Sequence, residues 1–121
     1  MTLLDLEAEE LAALLERAAV LRAERGTPGA RPLAGKSIVI LLEKASTRTR
    51  LSFEIGVHEL GGLPLTLISK DTQLGRGEPI ADTARMLSGY AHGVVFRTFG
   101  HERVEELARC ASIPVINGLS E

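Results

Sequence analysis

The sequence predicts an α/β fold, a three-layer α/β/α arrangement built on a four-stranded parallel sheet of order 2-1-3-4. Two observations carry that expectation. From Ser37 onward, short apolar runs alternate with longer stretches of helical periodicity, the rhythm of co-directional strands joined by crossover helices that cover both faces of the sheet. Pro64 falls inside the second apolar run, and a residue without an amide suits a sheet edge, which this order provides.

Ahead of the alternation, Leu11, Leu14, Leu15, Ala18 and Leu21 recur at helical spacing between Asp5 and Gly26, with Glu9, Glu10, Glu16, Arg17 and Glu24 mainly on other faces. This is an amphipathic opening helix whose leucine stripe is more simply core packing than a partner-binding groove, although in a chain that is part of a longer protein it is expected to be left partly uncovered. Thr27-Pro28-Gly29-Ala30-Arg31-Pro32 can extend neither a helix nor a central strand and reads as a connector. The elements that follow are strand 37–42, helix 48–60, strand 63–68, helix 80–91, strand 93–97, helix 101–111 and strand 113–117. Gly61-Gly62 permits the positive φ that stops the first crossover helix, and Pro79 suits the first turn of the next, where a missing amide costs nothing. Residues 69–79, with two glycines and alternating charge, form a connection longer than most and are expected to be a functional loop.

The bulk numbers narrow the function. A chain of 121 residues is one domain's worth, with 14 Lys and Arg against 16 Asp and Glu and a net charge of -2, so it offers no broad basic face to nucleic acid. Any anion site must be local. The lone Cys110 cannot form an internal disulfide and reads as a small core residue on a helix, which suits a reducing, intracellular setting. No apolar stretch approaches the ~20 residues that span a bilayer, and the acidic amino terminus is unlike a secretory signal. A soluble, cytoplasmic protein with no membrane partner is expected. His58, His92 and His101 have no partner at ligand spacing, so no metal is expected and no cofactor is implied.

One junction stands out. Ser46-Thr47-Arg48-Thr49-Arg50 follows the first strand directly, where a helix begins. The opening amides of a helix lack intrahelical acceptors and the aligned peptide dipoles leave partial positive charge there, so backbone, hydroxyls and guanidinium groups can hold a phosphate together. In the order 2-1-3-4 the connections leaving strands 1 and 3 diverge and open a crevice at their carboxyl ends. Arg97 closes strand 3 and so can face the helix terminus across it. Arg50, one turn into the helix, is expected to pair with Glu43 or Glu54. The plain alternative is a capped helix with solvated arginines and no ligand. A kinase-like nucleotide binder is disfavoured, because the Gly-x4-Gly-Lys-Ser/Thr arrangement is absent.

Three blocks in order, Glu43-Lys44-Ala45-Ser46-Thr47-Arg48-Thr49-Arg50-Leu51-Ser52-Phe53-Glu54, Asp82-Thr83-Ala84-Arg85 and Ile113-Pro114-Val115-Ile116-Asn117-Gly118-Leu119-Ser120, closely resemble the aspartate/ornithine carbamoyltransferase family over nearly the whole chain. Lys44 and Asn117-Gly118-Leu119-Ser120 resemble its ornithine branch, and putrescine carbamoyltransferases share much of the pattern. The resemblance implies that residues 1–121 are a carbamoyl phosphate-binding domain, that the amine-binding domain lies outside this chain, and that the chain alone does not turn over. It implies transfer of a carbamoyl group from carbamoyl phosphate to the side-chain amine of ornithine, giving citrulline and phosphate within arginine biosynthesis. By the same resemblance Ser46, Thr47, Arg48 and Thr49 contact the phosphate, and Arg48, Thr49 and Arg97 carry the catalysis. Arg97 would bridge phosphate and carbonyl oxygens, while Gln73, and with it Arg76, would reach the site of a neighbouring subunit in a homotrimer. Gly77 departs from relatives that place a basic residue there. A non-catalytic phosphate-binding or oligomerisation module is the alternative of a different class.

Overall fold

Ile38, Val39, Ile40, Leu41 and Leu42 have no polar member to turn toward water, and the strand they form is flanked on both sides within the sheet. The computed structural model describes residues 5–27, 29, 31–68 and 79–120. In chain order these contain α1 (Ala8–Ala23), β1 (Ser37–Leu42), α2 (Thr47–Glu59), β2 (Leu63–Ile68), α3 (Ile80–Tyr90), β3 (Gly93–Arg97), α4 (His101–Cys110) and β4 (Val115–Asn117). All strand pairs are parallel and the order is β2-β1-β3-β4, as the sequence predicts. Pro64 lies on the edge strand β2.

Alternation along the strands divides the core in two. On one face Val39, Leu41, Val94 and Phe96 pack with Ile80, Ala84 and Leu87 of α3 and Val104 and Leu107 of α4. On the other, Ile40, Leu42 and Val95 meet Phe53 of α2. Cys110 is a free thiol, half-buried against the first cluster, in keeping with its reading as a core residue. Helices therefore flank both sheet faces. Among the described residues no helix is long and apolar enough to cross a membrane.

The crossover helices end one residue earlier than expected, at Glu59, Tyr90 and Cys110, and four other details differ from the sequence reading. The α2 helix begins at Thr47 with Ser46 as its cap, and Pro79 caps α3 from outside rather than occupying its first turn. The strand expected over 113–117 is shortened to Val115–Asn117, because Pro114 has no amide for a ladder, although its carbonyl still accepts from the Val94 amide at 3.0 Å. The stop after α2 is as expected: Gly61 has φ of +94°, and a Cβ there would lie 2.8 Å from Arg31 Cβ. The fourth difference concerns α1. It has no buried residue, and Leu14 and Leu15 are 56% and 63% exposed, so the leucine stripe does not join the core. Its capping box, formed by Glu7 and Glu10, secures its start locally. Just beyond its end Arg25 pairs with Glu59 of α2 at 2.8 Å, and the hydrogen bond to that carboxylate raises the Arg25 pKa above its ordinary value.

The contrast between the two leucine sets is measurable. Leu107→Ala, in the α3/α4 core, is expected to cost about 2–5 kcal/mol in urea unfolding, whereas Leu15→Ala should stay within about 0.5 kcal/mol of the parent.

Candidate anion-binding site at the carboxyl ends of β1 and β3

Parallel register decides where the strand-end arginine points. Leu42 pairs with Arg97 as Ile40 pairs with Val95. Neighbours across a parallel pair share a face, so the Arg97 side chain emerges on the side that α2 covers. There Arg97 Nη1 donates to Thr49 Oγ1. That contact joins residues 48 positions apart and brings together two features singled out in the sequence.

The α2 side is built by its cap. Ser46 has extended φ and ψ, and its Oγ accepts from the Thr49 amide at 3.2 Å, while its carbonyl accepts from the Arg50 amide at 3.1 Å. No acidic residue occupies the first turn of α2, unlike α1, α3 and α4, which carry Glu9 and Glu10, Asp82 and Glu102 there. The positive end of the α2 dipole is thus left uncancelled, and Arg48 adds to it from an exposed position with no ion-pair partner among the described residues. Thr47 is exposed as well, and Ser46 and Thr49 are half-buried.

On the β3 side, Arg97 Nε is buried and has no hydrogen-bond partner among the described residues. A buried guanidinium donor without a partner carries an uncompensated loss of hydration, which an anionic acceptor would relieve. Thr49 Oγ1 already accepts from Arg97, which leaves its own proton free to donate to a second oxygen. After β4 the chain returns to this edge: the Gly118 amide donates to the Phe96 carbonyl at 2.8 Å, and Ser120 Oγ accepts from the Thr98 amide at 2.9 Å. Close approach explains the glycine, since a Cβ at Gly118 would lie 3.2 Å from Val95 Cγ1 and 3.4 Å from Arg97 Cβ.

Arg50 pairs with Glu54, Nε to Oε2 at 3.0 Å, resolving the alternative posed by the sequence. Glu43 instead engages Thr98 and Arg103, an arrangement the sequence reading missed. A carboxylate at the end of an apolar strand is the one signal that could have flagged it. The histidines have local duties: His92 Nδ1 accepts from the Ser37 amide at 3.0 Å, His101 Nε2 lies 3.1 Å from Glu105, and His58 is exposed. Gln73, Arg76 and Gly77 lie outside the described residues. A separate open cleft of about 680 Å³ runs between the carboxyl ends of α1 and α2, lined by residues including Leu21, Arg25, Gly56 and His58. It sits at the far end of α2 from Ser46, about 20 Å away by helix rise, and has no part in the crevice.

Comparison with known proteins bears on the family. The family model described as "Aspartate/ornithine carbamoyltransferase, carbamoyl-P binding domain" matches residues 1–121. A protein of Methanocorpusculum labreanum named ornithine carbamoyltransferase is 52% identical over 122 residues, covering 100% of this chain and 40% of its own length. Among solved structures, the ornithine carbamoyltransferase of Pyrococcus furiosus superposes with a TM-score of 0.92 at 47% identity, over 99% of this chain and 39% of that one. The anabolic ornithine carbamoyltransferase of Campylobacter jejuni gives a TM-score of 0.90 at 42% identity, over 100% and 39%. The chain thus spans about two fifths of the length of these relatives.

The cap makes a direct prediction. Ser46→Ala is expected to lower unfolding free energy by about 1 kcal/mol, and Ser46→Asp to recover most of that loss, when read by chemical denaturation.

Proposed function

The chain belongs to the aspartate/ornithine carbamoyltransferase family, and from that premise we propose that residues 1–121 are the carbamoyl phosphate-binding domain of an ornithine carbamoyltransferase. The observation that carries this reading is the contact from Arg97 at the end of β3 to Thr49 in the first turn of α2. It puts a guanidinium and a helix amino terminus on one crevice, which is what a substrate with a dianionic phosphate and a polarisable carbonyl requires.

In this reading the amides of the first α2 turn, with Ser46, Thr47 and Arg48, hold the phosphate. Arg97 spans phosphate and carbonyl oxygens with its planar fork, which a lysine point charge could not reproduce. Thr49 donates its hydroxyl proton to the carbonyl oxygen. A neutral amine of ornithine attacks the carbonyl carbon, the carbon–oxygen bond to phosphate breaks, and inorganic phosphate leaves with its growing charge met by Arg48 and Arg97. The attacking nitrogen passes its extra proton to the departing phosphate, and citrulline results. The amine is bound by a further domain outside this chain, which accords with the relatives' greater length. The proposed assembly is a homotrimer acting in the cytoplasm in arginine biosynthesis, with Gln73 and Arg76 serving a neighbouring subunit. Exposed Leu51, Ile55, Leu63 and Leu65 supply apolar surface for such contacts.

Carbamoyl phosphate, or a stable phosphonate analogue of it, should raise the melting temperature of the chain. Arg48→Ala and Arg97→Ala should each abolish that protection while leaving the unliganded melting temperature within a few degrees, as calorimetry would show. Protection by ATP with none by the analogue would refute the proposal.

A further inference from the structure

Glu43 is the first residue beyond β1, and its side chain is 11% exposed. Three donors converge on its carboxylate: Arg103 Nε at 2.8 Å and Nη2 at 2.7 Å from α4, and Thr98 Oγ1. The Glu43 amide meanwhile donates to the Arg97 carbonyl at 2.8 Å, and the Lys44 amide reaches the same carbonyl at 3.3 Å. Arg97 and Thr98 are successive residues, so their side chains leave on opposite faces: Arg97 toward α2, Thr98 toward α4. Thr98 is fully buried, with its amide bonded to Ser120. The peptide that joins Arg97 to Thr98 is therefore gripped at its carbonyl, at its amide and through the following hydroxyl, beyond the point where the sheet ladder ends.

We propose that Arg103 and Glu43 form a positioning clamp that aims Arg97 across the crevice at Thr49. Neither side chain touches the proposed ligand; both act through the 97–98 peptide. The inference rests on the carbamoyl phosphate reading above, and the geometry suits an aiming role. The Arg103 fork engages both oxygens of one carboxylate, which fixes orientation as well as distance. Hydrogen bonding to Glu43 raises the Arg103 pKa, so the guanidinium keeps its charge and its donors. An arginine that must bridge two oxygens depends on its aim, whereas a lysine in its place is a rotating point charge that does not.

That difference supplies the test, a double-mutant cycle on ligand affinity. Dissociation constants for phosphonoacetamide, a stable analogue of carbamoyl phosphate, are measured by calorimetric titration for the parent, Arg103→Ala, Arg97→Lys and the double variant, with melting curves confirming the folded state. Arg103→Ala is expected to weaken binding about tenfold in the parent, with little further loss on the Arg97→Lys background. Arg103→Lys, which keeps the charge without the fork, should recover part of the loss. Should Arg103→Ala fail to fold, Thr98→Val replaces it in the same cycle, with the same expected coupling. Equal losses on both backgrounds, or no loss at all, would overturn the clamp while leaving the carbamoyl phosphate reading standing. A parent that binds no analogue would overturn that reading, and the clamp with it.

Discussion

Pairing Leu42 with Arg97 across β1 and β3 settles which groups can meet at the carboxyl edge of the sheet. With that register, Arg97 falls on the α2 face and Thr98 on the α4 face. A slip of one residue would exchange them, sending the guanidinium toward α4 and the hydroxyl toward the capped start of α2. The core enforces the choice, because the same parity puts Val95 with Phe53 on one side and Phe96 with Leu107 on the other. Packing and chemistry are thus set by one alignment. The apolar alternation along β3 that makes the strand also decides where its terminal charge is delivered.

The carboxyl edge is closed in layers. Main-chain bonds from Glu43 and Lys44 to Arg97, and from Gly118 to Phe96, extend the sheet's connectivity past its last ladder rung. Side chains of Thr98, Arg103 and Ser120 then tie α4 and the segment after β4 to the same edge. The opposite edge is held more simply: the His92 ring accepts from the Ser37 amide while the His92 amide donates to the Ser37 carbonyl at 2.8 Å. Polar side chains concentrate where the divergent crossovers leave space for a ligand.

Much of this was legible in the residues. Apolar runs mark the strands and Pro64 marks the edge, because each rests on a local physical preference that the fold respects. Reading Arg97 toward the helix terminus needed only strand order and a direction for the crossovers. The Arg103 to Glu43 pair was not legible: sixty residues separate the partners, and an arginine in a charged helix looks the same in sequence whether it faces water or a buried carboxylate. The leucine stripe of α1, read first as core packing, is instead exposed for a related reason. Periodicity reports that a helix has an apolar side, and says nothing of what that side touches.

The loose attachment of α1 has a consequence for how the fold opens. A helix of 16 residues is marginal in water on its own. The visible tie near its end, Arg25 to Glu59, has the 61% and 33% side-chain exposure of a solvent-screened pair. The free energy needed to expose its amides is therefore set by local helix propensity rather than by the global unfolding of the sheet. Deuterium from solvent would enter this segment first and β1 and β3 last, and an added ligand at the crevice would slow exchange in the strands while leaving the opening helix at its own pace.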